Sequence, residues 1–419
     1  MKQIINKVES FLANSLKRTP LLKAVIKHIY FVFFGFVGRW FVRNSLPQGL
    51  QEIGESSCES FKGYYDVSPE NEVGLIFVYS TEDDTRKSPC NYRSLSIAIY
   101  ESSNLKKALV RRSTQAFNWQ QGSRAHWIDS ERLIYNDFCK DDNSYVSKVW
   151  NVKDDEIEKV ISHPIESLLN RHEFLSLNFE RIASLRPDYG YFAHSHSDTT
   201  DSLVQDGIWK VDIRTGKSEL LYSIAEILKI GDAQYPEGTE HKLNHLMVSP
   251  GGDKCLAVHR YFNGAIRQGR MLLLSMDLKD IVVLPTGKIV SHYCWINNKE
   301  AIAFVDNASG NLRYYILNVD DKVLTPVDSL CNLGDGHPTP LTGNEYITDT
   351  YPNRWGYQKL LRIYSDEKPV ELGSFEHNVG YNGESRCDLH PVFCAHSGFL
   401  YFDSLFSKKR RLYRMKINS

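Results

Sequence analysis

Short apolar runs alternate with polar turns along most of the chain, and the alternation repeats. A strand, a polar turn and a second strand rich in β-branched and aromatic residues recur at residues 65–80 (YDVSPENEVGLIFVYS), 123–137 (SRAHWIDSERLIYND), 245–259 (HLMVSPGGDKCLAVH), 292–305 (HYCWINNKEAIAFV), 337–350 (HPTPLTGNEYITDT) and 390–404 (HPVFCAHSGFLYFDS). A weaker seventh copy lies at 170–179 (NRHEFLSLNF). Period-two apolar runs bounded by Gly, Asn, Asp or Ser read as hairpins. The turn centres fall near Asn71, Ser130, Arg171, Gly251, Asn298, Gly343 and His396. Most gaps are about 40–60 residues, the size of a four-stranded propeller blade. The one longer gap holds the run 207–216 (GIWKVDIRTG) and a short helical insertion at 223–230, so it reads as one blade with insertions. The expected fold class is all-β, a seven-bladed β-propeller over residues 51–419 with a short N-terminal helical segment; a pair of β-sandwiches is the alternative.

Residues 1–50 differ in pattern. Lys2, Lys7, Lys17, Arg18, Lys23, Lys27, Arg39 and Arg43 face a single acid, Glu9, in the first 45 residues, and an aromatic run (YFVFFGFV, 30–37) sits between Lys27 and Arg39. The apolar stretch is shorter than the ~20 residues a bilayer span requires, and it lacks the small-residue cleavage site of a secretory signal. A basic amphipathic helix lying in the membrane interface is expected, with a helix packed on the propeller, or a short uncleaved anchor, as alternatives.

Composition narrows the function classes. The net charge is −1 and the pI about 6.9, which gives no footing for nucleic-acid binding by the bulk of the chain. The eight cysteines are scattered and none forms a C-x-x-C pair, so free thiols and a cytoplasmic location are expected, peripheral at the inner face of the membrane through residues 1–45.

The repeat phase singles out candidate chemistry. His245, His292, His337 and His390 each stand six residues before a turn centre. Equal phase means equal position, at the start of the innermost strand of four consecutive blades, so four imidazoles converge on one end of the channel. The partner strands return to that end with Asn136, Asp137, Asn178, Arg181, His259, Arg260, Asp349 and Asp403, and Asp388 shares the strand parity of His390. Tyr65, Trp119, Gln120, Gln121 and Arg124 precede the turns of the first two blades and are candidate substrate contacts; inter-blade packing is the other reading, above all for Trp119. A set of His, Asp and Arg suits a divalent metal and an anion.

Within these runs the chain resembles a known group. The units 245–250 (HLMVSP) through Val258-His259-Arg260, 291–295 (SHYCW) and 389–391 (LHP) resemble the repeats of TolB-like proteins, and the histidine placement is similar to that of the oligogalacturonate lyases, seven-bladed polysaccharide lyases. That resemblance implies a divalent metal (Mn, Ca or Zn) held by His292 and His390, with His245 as base. The family's H-x-H pattern has Asp388 in place of its first histidine here, and Ser385 stands where the family has glutamine; His337 is expected to supply the missing ligand. The runs 63–66 (GYYD), 118–122 (NWQQG) and 334–337 (GDGH) also resemble uncharacterised propellers associated with bacterial surface-polysaccharide genes.

The function expected is metal-assisted β-elimination on a uronate-containing oligo- or polysaccharide. The catalytic candidates are His245, His259 and Arg260. The metal candidates are His292, His337, Asp388 and His390. Tyr65, Trp119, Gln120, Gln121, Arg124 and Arg181 are the candidate contacts to an acidic glycan. The alternatives are a non-catalytic glycan-binding or scaffolding propeller in surface-polysaccharide biosynthesis, and a glycoside hydrolase using Asp66 with Asp388 or Asp349.

Overall fold

The computed structural model describes residues 43–417, apart from residues 93, 194–201, 265, 278–279, 342–344 and 365–366; of the first 42 residues it describes only Ile26 and Phe33. The expected N-terminal membrane-surface segment therefore lies almost wholly outside the described residues, as does the turn centre at Gly343.

Among the described residues the strands form seven four-stranded antiparallel sheets. The innermost strands of blades 1 to 7 are Glu59–Phe61, His126–Trp127, Ile165–Leu168, Glu240–Val248, Val290–Trp295, Thr339–Pro340 and Val392–Cys394. Each sequence repeat falls at the first hairpin of one sheet, so the seven-bladed expectation holds, although the innermost strands of blades 1 and 3 precede the repeats at 65–80 and 170–179. The insertion in blade 3 contains helix α1 (Phe179–Leu185), and helix α2 (Ile224–Leu228) follows that blade's last strand. Asn178 caps α1 and a Ser223–Glu226 capping box starts α2, each satisfying backbone N–H groups that a helix start leaves open.

The ring closes with both chain ends in one sheet. Gln51–Ile53 pairs antiparallel with Arg411–Lys416, in register Gln51↔Arg414 and Ile53↔Leu412, and becomes the outer strand of blade 7. Just before it, Ser45 exchanges two 2.9 Å backbone hydrogen bonds with Ser374 on the outer strand of blade 6.

Apolar residues fill the spaces between neighbouring sheets, because each blade buries both faces against its neighbours. Leu256, Val258 and Met271 of blade 4 meet Tyr293, Trp295, Ala301 and Ala303 of blade 5 in one such layer. Indole N–H groups bracket adjacent blades: Trp127 donates to the Pro69 carbonyl at 2.9 Å and Trp295 to the Met247 carbonyl at 2.8 Å. Removing the buried Trp295 ring would cost about 3–5 kcal/mol. All eight cysteines are free. No helix among the described residues is long and apolar enough to cross a membrane.

Candidate metal centre in the propeller channel

The inner strands do not run straight through the site. Pairing between the first two strands of blade 4 slips between Asn244 and Met247, and that of blade 5 slips between Val290 and Tyr293. His245 and His292 sit in these irregularities. His245 and His390 also adopt left-handed backbone conformations, with φ of 56° and 45°. Non-glycine residues held at positive φ store strain that the surrounding structure must enforce, and such strain clusters at functional sites.

The four histidines converge as their phase requires. The rings of His292 and His337 lie 4.1 Å apart, and those of His337 and His390 4.3 Å apart. Tyr64 and Tyr65 rise among them. Tyr64 is 5.2 Å from His245 and 5.0 Å from His390, and Tyr65 is 5.1 Å from His337. The Tyr65 hydroxyl donates to the Tyr293 carbonyl at 3.0 Å and lies 3.3 Å from His245 Nε2.

Neighbouring acceptors fix the ring protons. His337 Nδ1 lies 3.0 Å from both Asp349 oxygens, and His390 Nδ1 3.1 Å from the Gly63 carbonyl. A carboxylate and a carbonyl only accept, so both rings carry their proton on Nδ1. Each Nε2 is thereby left as a ligand atom, and both are buried without a hydrogen-bond partner. His292 Nδ1 is likewise 3.0 Å from Asp335. The Asp388 carboxylate lies 3.8 Å from His390 Nε2, and ligand atoms of His337, Asp388 and His390 all fall within 4.8 Å of one another. Buried imidazole nitrogens, oriented by a carboxylate or carbonyl behind them and facing a carboxylate, match the needs of a divalent metal. The residues therefore fit the metal that the sequence resemblance implies. Burial, the His337 charge, Lys62 and Arg386 push His390 well below its ordinary value. Burial would lower His337 too, but Asp349, Asp388 and Asp335 overcome it and raise the imidazole.

Gly63 makes this arrangement possible. Its φ is +93°, and a Cβ there would stand 2.8 Å from the Gln121 carbonyl oxygen. Only glycine can place that carbonyl under His390 without moving the chain.

On the other side of the channel the same strand position carries charge. Six residues before the first three turn centres stand Tyr65, Arg124 and Ile165, the last beside Glu166. Arg124 makes a bidentate pair with Asp66, both bonds 2.9 Å, and its Nε donates to the Glu166 backbone carbonyl at 2.9 Å. Burial would raise the Asp66 carboxyl, but Arg124 holds it below its ordinary range. Burial wins at Glu166, which is pushed up to about 7 even though it accepts from the backbone of Leu246 and His245. His245, lowered to about 3 mainly by burial, is a neutral imidazole. Asp66 is thus held by Arg124, as Asp349 is by His337 and the His390 backbone N–H.

Around the histidines lies a cationic and aromatic rim. Arg386 donates to Asp388 at 2.7 Å, to Asp188 at 2.9 Å and to the Tyr189 hydroxyl at 2.8 Å. Arg186 lies 4.9 Å over the Tyr189 ring. Arg260 donates to the Val290 carbonyl at 2.9 Å, while its Nε and the buried Lys242 Nζ have no hydrogen-bond partner. Burial, then Arg260 and Arg186, push Lys242 well below its ordinary value.

Several sequence-selected residues lie elsewhere. His259 faces α2: its Nδ1 accepts from Arg270 at 3.1 Å and its Nε2 lies 3.1 Å from His241 Nδ1. Trp119 is buried against Phe61, Phe117 and Tyr92, with its indole N–H on the Lys87 carbonyl. Gln120 donates to the Arg386 carbonyl at 2.8 Å, and Gln121 is bonded through its backbone to Asn118. Arg181 pairs with Asp206. Asp335, Arg386, Lys242 and Glu166 were not selected from the sequence. For Glu166 the phase rule, extended back to blade 3, is a usable signal.

No family model and no curated protein matches the sequence. The fold does match solved structures. An oligogalacturonate lyase from Vibrio parahaemolyticus superposes with a TM-score of 0.60 at 9% identity, covering 90% of this chain and 96% of that one. An oligogalacturonate lyase in complex with manganese gives a TM-score of 0.56 at 11% identity with the same coverage. TolB from Acinetobacter baumannii is matched at a TM-score of 0.40 and 12% identity, over 76% of this chain and 65% of that one. The chain is thus a seven-bladed β-propeller. Its fold is similar to that of the oligogalacturonate lyases.

Proposed function

We propose that the protein is a polysaccharide lyase-like propeller that acts on uronate-containing oligo- or polysaccharides by metal-assisted β-elimination. The observation that carries the reading is the pair of buried, unpartnered Nε2 atoms of His337 and His390 beside Asp388, under a rim of arginines. His337, His390 and Asp388, with His292 adjacent, would hold a divalent ion. When bound, that ion supplies positive charge to a uronate carboxylate and so acidifies the neighbouring C–H. Asp349 and the Gly63 carbonyl keep the two ligand rings aimed. Arg260, with its open Nε, and Arg186 are suited to clamp carboxylates of an acidic chain. His245 is the base this reading favours: a neutral imidazole held in the ring, with Asp66 near enough to stabilise the imidazolium that forms.

One observation favours a second reading, a non-catalytic glycan-binding or scaffolding propeller. Tyr64 and Tyr65 fill the space among the histidines, and none of the four histidine residues is more than 6% exposed. In that case the ion would lock the channel. The proposed partner is an acidic glycan under both readings, and a role at the inner membrane surface rests on residues 1–45. Incubating the metal-loaded protein with polyuronides separates the readings. An unsaturated product absorbing in the ultraviolet, abolished by His245→Ala, supports the lyase. Stoichiometric metal binding with no product from any uronate glycan refutes it.

A further inference from the structure

The hairpins that follow the innermost strands lie away from the histidines, and they border a second cavity. It measures about 570 Å³ and is lined by turn residues of blades 1, 2, 3 and 7, including Glu72, Asp129, Arg171 and His396. On its wall stand Glu70 of blade 1 and Cys394 and His396 of blade 7, with one ligand atom from each within 4.8 Å of the others. Cys394 Sγ is 3.2 Å from His396 Nδ1.

We propose that Glu70, Cys394 and His396 form a second metal site, selective for Zn²⁺, that ties blade 7 to blade 1. Thiolate, imidazole and carboxylate are the donor types zinc takes, three from the protein and a fourth position open, here toward the cavity. The thiolate sets this site apart from the channel site, whose donors are imidazole and carboxylate only.

Supporting groups already stand behind the ligands. The Glu70 carboxylate accepts from the Tyr401 hydroxyl at 2.8 Å and from Ser397, and Ser68 donates to Cys394 Sγ at 3.5 Å. Such outer partners hold ligands in place. Cys394 and His396 are two residues apart on one hairpin, and the exposed His396 is free to turn its ring onto the ion. Loading releases the thiol proton to solvent as the sulfur–metal bond forms. The ion would cross-link the sheet in which the chain ends meet to blade 1.

Cobalt titration of the full chain reads this site directly, because only a thiolate ligand gives a sulfur-to-metal charge-transfer band. The expected result is one such band, displaced by Zn²⁺, retained in H390A and C90S, and lost in C394S and H396Q. Zinc should also raise the melting temperature of H390A but not that of the H390A/C394S double variant. His396 is exposed, so H396Q keeps the test open should C394S fold poorly. Absence of the band, or its survival in both C394S and H396Q, overturns the site. A bound ion that leaves the melting temperature unmoved overturns the tie between blades. Neither outcome bears on the lyase reading, which rests on His337, His390 and Asp388.

Discussion

The Arg124 ion cluster gives the sharpest test of the channel's electrostatics. Its members are almost without solvent: the side chains of Arg124, Asp66 and Glu166 are 1%, 5% and 2% exposed. Arg124→Met keeps most of the side-chain volume and removes the charge. Asp66 then loses two charge-assisted hydrogen bonds and is left ionised in a dry channel. Removing one member of a buried ion pair costs about 3–5 kcal/mol, mostly as the penalty of the charge left behind. That origin makes two further demands. Arg124→Met/Asp66→Asn should recover at least half of the loss, since the stranded charge is gone. The single variant should also be less destabilised at pH 5 than at pH 8, because low pH lets Asp66 and Glu166 take up protons. Urea unfolding followed by tryptophan fluorescence measures all three. A loss below about 1 kcal/mol, or a double variant as unstable as the sum of its parts, would refute the assignment of a buried, coupled charge cluster.

Two other predictions concern the histidines. Asp349→Asn removes the carboxylate that orients His337, and should weaken Mn²⁺ binding by about 10–100-fold by calorimetric titration while leaving the fold intact; unchanged affinity would place the ion elsewhere. The pH dependence of stability follows from opposed groups. Burial lowers His126 and His245 to about 3 and His259 to about 2, so their contribution is complete above about pH 6.5 and is lost as pH falls toward those values. Burial raises Glu166 and Asp403 to about 7, so their contribution is present below their ordinary range and is lost as pH rises through 7. From pH 6 to 5 the unfolded chain binds about one more proton than the fold from these five groups, a slope of about 1.4 kcal/mol per pH unit. Near pH 3.5 the difference reaches about two protons, a slope of about 3 kcal/mol per unit. Burial also lowers His241 and His377 to about 4, which adds to the loss on the acid side, so denaturation midpoints between pH 8 and 3.5 should peak near pH 7 and fall once pH drops below 6; a plateau from pH 6 to 4.5 contradicts the lowered histidines.

The fold was legible because each blade repeats a hairpin, and phase within a repeat carries over to position in space. That alone brought His245, His292, His337 and His390 together. Side-chain direction was less legible, for a physical reason. The pairing of blade 4 slips beside His245, and a slip of one residue exchanges the faces of a strand. Strand parity counted from His245 across the hairpin to His259 therefore fails, and His259 turns toward Arg270 and α2. Trp119 and the glutamines lie between blades instead, where Trp119 serves packing. Asp335 acts through the Nδ1 of His292, and no spacing rule announces a partner that comes from a loop; Asp349, at the end of a second strand, is placed at this end by the repeat phase but not as the partner of His337. The closing strand Gln51–Ile53 has three residues, too few for any periodicity to show.

Asp388 shows how a departure in sequence can be absorbed by structure. A histidine there would bring a neutral ligand. An aspartate brings a buried negative charge, which needs compensation. Arg386, two residues earlier, supplies it at 2.7 Å; burial would raise the Asp388 carboxyl, but Arg386 and His337 outweigh it and hold the group below its ordinary range. Arg386 is in turn held by Asp188 and Tyr189 from the blade 3 insertion. The exchange therefore links the proposed metal ligand Asp388 of blade 7 to the rim through one guanidinium. An anion that draws Arg386 toward the rim would loosen its hold on Asp388 and free that carboxylate for the ion. Metal and acidic glycan should then bind with positive coupling, and Arg386→Gln should abolish the coupling while leaving both ligands able to bind alone. Calorimetric titration of Mn²⁺ with and without an oligouronide measures it, and equal affinities in the two titrations of the wild type would refute the linkage.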